Sequence, residues 1–142
     1  MRIGVSVKTV VLQIHAENLC GIQQNVACID SSRADEIIFT ADREDVLTVI
    51  KGEEPVLVVS GQVLGLGISG TDLARDVKRA NPKALFFIYS VMPATNESVD
   101  GVIPKRNGTA TNGAHELLAK ILTSPLDGIT ATDLKKRFPE IQ

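Results

Sequence analysis

The sequence predicts a single α/β domain built on a parallel sheet with helices on both faces. Three observations lead there. Five short runs, at residues 9–14, 36–40, 56–60, 84–90 and 101–104, are β-branched or aromatic and almost continuously apolar. Strands of that kind fit a sheet covered on both sides better than one with a wet face. Stretches with apolar residues at spacings of three and four lie between most of these runs, and such alternation of strand and helix implies right-handed crossovers and parallel pairing. At 142 residues the chain is long enough to enclose one core without a metal or disulfide framework.

Taken in order, residues 9–14 form the first strand. Leu19, Ile22, Val26 and Ile29 then make one stripe of a helix over 17–31, weakened slightly by Gly21. After the strand at 36–40, residues 42–51 carry Val46, Leu47 and Ile50 on one side and acidic residues at the start, opposite the positive end of the helix dipole; Gly52 stops the helix. The strand at 56–60 leads to a helix over 71–80. It turns Leu73, Ala74 and Val77 inward and Asp72, Arg75, Asp76, Lys78 and Arg79 outward, and Asn81-Pro82 ends it. Phe86 and Phe87 belong to opposite faces of the fourth strand, and Tyr89 packs against a helix. Residues 91–100 show no apolar periodicity, so the expected fourth crossover helix is absent or reduced to a turn. A final strong helix carries Ala114, Leu117, Leu118, Ile121 and Leu122, with Pro125 beyond it. A short helix over 131–138 follows, with Thr130 as cap and Asp133 as capping-box partner. This element order makes a flavodoxin-like strand order of 2-1-3-4-5 the natural candidate, in a three-layer sandwich.

Composition narrows the function classes. Apolar residues make up 44% and charged residues 23% of the chain, an ordinary globular balance. A net charge of −2, with 15 basic residues spread along the sequence, provides no concentrated cationic surface for nucleic acid. No stretch is long enough to span a membrane, and the residues after Arg2 lack the unbroken apolar run of a signal peptide. The expectation is a soluble, cytoplasmic protein. Cys20 and Cys28 have neither CxxC spacing nor a nearby histidine, so they read as small buried side chains in a helix, with no metal site.

The stretch 55–105 resembles the second half of a response-regulator receiver domain. Ser69-Gly70-Thr71-Asp72-Leu73-Ala74-Arg75 is similar to that family's Asp-Gly and Leu-rich helix after the third strand. Ser90 stands where the family closes its fourth strand with Thr or Ser. Val99-Asp100-Gly101-Val102-Ile103-Pro104-Lys105 resembles its fifth strand and lysine. Element order extends the likeness over about residues 8–124, which gives a receiver-like domain over 1–125 and a tail or linker over 126–142. In the family an aspartate at the end of the third strand takes phosphate, and acidic groups after the first strand hold Mg²⁺. Here the acceptor position falls on Ser60, Gly61 or Gln62, no Asp or Glu occurs from 55 through 71, and the first strand is followed by Gln13-Ile14-His15-Ala16-Glu17-Asn18. Glu17 alone is too little for a hard cation beside a phosphate. Pro104 precedes Lys105, whereas the family's lysine is followed by a proline.

The resemblance with its departures implies a pseudo-receiver: not an enzyme, without cofactor or metal, acting as a protein–protein interaction module in signal transduction. The implied partner is a kinase, a regulator or an attached output domain, and a homodimer is allowed. Ser90 and Lys105 together have the chemistry to bind an anion, although Ser90 satisfying a loop amide and Lys105 standing in solvent is the simpler account. The run Gly65-Leu66-Gly67-Ile68-Ser69-Gly70 formally matches GxGxxG. The competing expectation is therefore a Rossmann-like ligand or nucleotide binder with Gly65, Gly67 and Gly70 as the cradle. Against it, Ser60 to Leu64 separate the strand from the first glycine, and the next strand ends without an acidic residue. His15, near the carboxyl edge of the sheet, and His115, at the start of the last long helix, join no metal or nucleophilic constellation by spacing.

Overall fold

The computed structural model describes residues 7–52, 55–62, 67–91, 95–105 and 115–142. The elements run β1 (Lys8–Leu12), α1 (Ala16–Ile29), α2 (Ser31–Glu36), β2 (Ile37–Thr40), α3 (Arg43–Val49), β3 (Val56–Ser60), α4 (Gly70–Ala80), β4 (Leu85–Ser90), β5 (Gly101–Pro104), α5 (Glu116–Thr123) and α6 (Ala131–Arg137). All strand pairs are parallel, in the order β2-β1-β3-β4-β5. The fold is flavodoxin-like, as the element order predicted.

Strand alternation divides the core into two layers, because successive side chains point to opposite faces. Val11, Leu57, Val59, Phe87, Tyr89 and Ile103 face a cluster that contains Ile22 and Val26 of α1, Leu118, Ile121 and Leu122 of α5, and Leu134 of α6. Val10, Leu12, Val58, Phe86 and Ile88 face Val46 and Ile50 from the α3 region and Leu73, Ala74 and Val77 of α4. Phe86 and Phe87 thus fall on opposite faces. Each fully buried side chain of this size stabilises the fold by about 1.5–3 kcal/mol relative to exposure, and the double coverage explains why the strands show no polar alternation.

Local chemistry sets the boundaries. Gly52 takes φ 121, which only glycine adopts without strain, just past α3. Ser69 and Asp72 form a capping box at α4, and Thr130 and Asp133 form another at α6. Asn81 ends α4 and ties it to the α3 region through Nδ2 to the Ile50 carbonyl at 3.1 Å. Between β4 and β5 the described residues 95–100 contain a turn and no helix. That turn is anchored by Asp100: its Oδ2 accepts from the Phe86 amide at 2.8 Å and from Lys78 Nζ at 2.6 Å.

Four readings of the sequence need correction. The helix expected over 17–31 ends at Ile29, and a separate α2 follows, with the Asp30 side chain accepting from the Arg33 amide. Glu36 therefore closes α2 and does not open β2. Ile29 belongs to the expected apolar stripe by spacing, yet it is 51% exposed, at the junction where the chain turns into α2 beyond the buried Ile22 and Val26. Cys20 and Cys28 are exposed, not buried, because they lie off the stripe that Ile22 and Val26 turn into the core. Ala114, expected on the last stripe, lies outside the described residues. The tail from Leu126 onward packs on the α1 and α5 face: Leu126, Leu134 and Ile141 join that core, and Gln142 exchanges backbone hydrogen bonds with Val102 at 2.8 and 2.9 Å along β5.

Candidate functional site

In a parallel sheet every strand ends at the same edge, so residues just past β1, β3, β4 and β5 converge there. Gln13 follows Leu12, Gly61 follows Ser60, Ser90 closes β4 and Lys105 follows Pro104. Short backbone links hold these ends together: the Gln13 amide donates to the Thr40 carbonyl at 3.1 Å, Gly61 to Leu12 at 3.0 Å, and Lys105 to Ser90 at 3.2 Å. They surround a cavity of about 130 Å³. Gln62, Tyr89 and Val91 complete its walls, and His15 and Asn18 contribute from the start of α1.

Of the sequence-predicted site residues, the cavity brings together Gly61, Gln62, Ser90 and Lys105. Ser60 is the last residue of β3 but is fully buried, with Oγ donating to the Gly61 carbonyl at 2.9 Å, and it does not line the cavity. Of the three positions considered for a phosphate acceptor, then, Gly61 and Gln62 face the cavity. Neither carries a carboxylate. Glu17 is exposed in the first turn of α1 and also stands outside the lining. Among the described residues no group of three His, Cys, Asp or Glu side chains is placed to hold a metal ion.

The glycine run behaves differently from a phosphate cradle. Gly65 lies outside the described residues. Gly67 is exposed with φ 73. Gly70 is buried, and its amide donates to the Gln62 carbonyl at 2.7 Å. A Cβ added at Gly70 would stand 2.5 Å from the Gly61 carbonyl oxygen, so glycine is required for the close approach of α4 to the end of β3. At the α4 N-terminus Ser69 Oγ accepts from the Asp72 amide, and the Asp72 carboxylate sits in the first turn, where it opposes a bound anion.

The electrostatics of the cavity are one-sided. Lys105 Nζ lies 5.8 Å from the centroid of the Tyr89 ring and has no carboxylate partner among the described residues. Burial lowers its pKa from the ordinary lysine value. Beneath it, Tyr89 Oη and His115 Nδ1 are 2.7 Å apart and buried. Burial holds the His115 pKa below its ordinary value, with Lys105 adding repulsion, and burial raises that of Tyr89. Two side-chain atoms at the cavity, Gln13 Nε2 and Gln62 Oε1, are buried without a hydrogen-bond partner.

Sequence reasoning missed Gln13, Asn18, Val91 and the Tyr89–His115 pair as parts of this site. Gln13 falls inside the run 9–14 read as the first strand, whereas β1 ends at Leu12 and leaves Gln13 at the sheet edge; the only signal is its polarity within an apolar run. No local signal joins Tyr89 to His115, since 26 positions separate them.

Fold and site together define a flavodoxin-like α/β protein with a small pocket at the carboxyl edge of its sheet, whose lining among the described residues carries Lys105 and no carboxylate. No family description, curated protein or solved structure matches the chain. No helix among the described residues is long and apolar enough to cross a membrane.

Proposed function

We propose that the chain is a non-phosphorylated pseudo-receiver, a cytoplasmic protein–protein interaction module in signal transduction that has no enzymatic activity of its own. One observation carries this reading: Ser90 and Lys105 meet at the sheet edge beside Gly61 and Gln62, where a phosphate-accepting domain needs a carboxylate. An acyl phosphate requires a carboxylate nucleophile, and an amide in that place removes the chemistry while leaving the surface around it intact. Control then comes from docking of a kinase, a regulator or an attached output domain, or of a second copy of the chain, near the ends of β3 and β4 and along α5. The competing reading, a Rossmann-like nucleotide binder, is less favoured because the Gly70 amide is already engaged and Asp72 occupies the helix start. The cavity is also smaller than the roughly 300–1,000 Å³ usual for ligand sites of that class.

The test is incubation with a small phosphodonor and Mg²⁺ followed by intact-mass measurement. The expected result is an unmodified chain; stoichiometric, hydroxylamine-labile phosphorylation would remove the basis for the reading. A parallel thermal-shift screen against nucleotides separates the competitor, since a ligand at 100 times its Kd stabilises the fold by about 2.7 kcal/mol.

A further inference from the structure

The strongest unexplained feature of the molecule is the pair of orphaned amides in the pocket at the sheet edge. Gln13 is only 5% exposed, and its Nε2 has no acceptor. Buried polar groups are nearly always satisfied, so an orphan of this kind calls for a missing partner. Lys105 is the second donor there without an acceptor among the described residues. The start of α1 borders the same cavity through His15 and Asn18, and its N-cap makes no side-chain hydrogen bond, although Glu17 stands exposed in its first turn. Glu17 stands outside the lining, and residues 55–71, 84–96 and 101–114 contain no Asp or Glu.

We propose that this pocket receives a single carboxylate from outside the chain, with one oxygen on Lys105 Nζ and the other on Gln13 Nε2. The buried, unpaired Gln13 donor beside the Lys105 charge points to the guest. Lys105 Nζ and Gln13 Nε2 match the two oxygens of a carboxylate, and the phosphate arm of the test below decides whether Ser90, Asn18 and His15, which also line the cavity, hold a larger anion instead. A volume of about 130 Å³ admits the end of an acidic side chain or a small free acid. That the carboxylate belongs to an Asp or Glu of a protein partner rests on the interaction-module reading; its chemistry does not.

The experiment is titration of the ¹⁵N-labelled full chain with sodium acetate, with inorganic phosphate, with a short poly-Glu peptide and with its poly-Gln counterpart, using sodium chloride at matched ionic strength as control. The amides of Gln13, Gly61, Gln62 and Lys105 should shift saturably with acetate or with the Glu peptide and not with chloride or the Gln peptide. Lys105→Met and Gln13→Met should each weaken that binding at least ten-fold. Binding of the peptide alone assigns the guest to a partner's side chain, and binding of acetate alone assigns it to a free acid; either supports the pocket. Shifts that chloride reproduces, shifts that survive both substitutions, or no response to either acid would overturn it, as would saturable binding of inorganic phosphate with acetate inert. Should Gln13→Met fail to fold, Lys105→Met and its partial rescue by Lys105→Arg decide the question. Phosphodonor labelling is a separate measurement, so failure here and failure of the pseudo-receiver reading are distinguishable.

Discussion

Tyr89 and His115 are joined by a hydrogen bond of 2.7 Å between the phenol oxygen and Nδ1, at the point where β4 meets the start of α5. Their rings lie 5.8 Å apart, tilted at 58°. The contact ties the floor of the pocket to the helix that follows the long connection after β5, and it keeps His115 buried close to the positive charge of Lys105.

That burial makes stability depend on pH. The folded-state pKa of His115 lies below the 6.5 of an unfolded histidine, from desolvation first and Lys105 second. Between the two values the unfolded chain binds more protons, so stability rises with pH there. The contribution is fully present above about pH 6.5 and is lost as pH falls through the folded value. Chemical denaturation from pH 7.5 to 5 should show this decline, and His115→Gln, which can still accept from Tyr89, should flatten it relative to wild type. Equal slopes for the two proteins would rule out His115 as the source.

Gly21 tests the same packing from the other side. In an exposed helix, Gly→Ala gains about 1 kcal/mol. Here the added Cβ would stand 2.9 Å from His115 Cδ2, and His115 is held in place by Tyr89. Gly21→Ala should therefore destabilise by about 1–2 kcal/mol, and in a His115→Ala background the same change should become stabilising. A double-mutant cycle in urea reads the coupling directly.

Arg33 joins three elements through one guanidinium. Its Nε donates to the Leu122 carbonyl at 3.0 Å, its Nη2 to Thr9 Oγ1 at 2.8 Å, and its Nη1 pairs with Glu36 at 3.1 Å. The guanidinium thus links β1, α2 and α5, and Thr9 is fully buried. Arg33→Met should cost about 3 kcal/mol, since hydrogen bonds from a charged group contribute about 1.5–3 kcal/mol each. Arg33→Lys should recover little, because an ammonium lacks the fork geometry. Adding Thr9→Val to Arg33→Met should restore part of the loss in equilibrium unfolding.

Gln13→Met should make the protein more stable. An unsatisfied buried amide costs about 1–3 kcal/mol, and methionine fills a similar volume without a polar end. The expected gain is about 1 kcal/mol, read from an upward shift of the urea midpoint at unchanged m. A loss of that size would mean that Gln13 has a partner in the free protein.

Much of the architecture was legible because local signals and global fold agree. Runs such as VLVVS and LFFIYS had to be covered on both faces, and the box of Thr130 with Asp133 marked α6 correctly. The misses have local causes. The six residues of α2, SSRADE, bury no side chain, so no apolar period announces them. Residue type alone favours the interior for Cys20 and Cys28, but helix phase turns them outward.

The sequence by itself determined the parallel α/β order of elements and the lack of any Asp or Glu from residue 55 through 71, since periodicity and residue identity are properties of the chain. Which residues share the pocket was decided only by tertiary structure. Gln13, Gly61, Ser90 and Lys105 are far apart in sequence and become neighbours because parallel strands end at one edge. Ser60 is buried while Gln13 borders the cavity with its Nε2 buried and unpaired, an outcome of strand register and packing that no local pattern encodes.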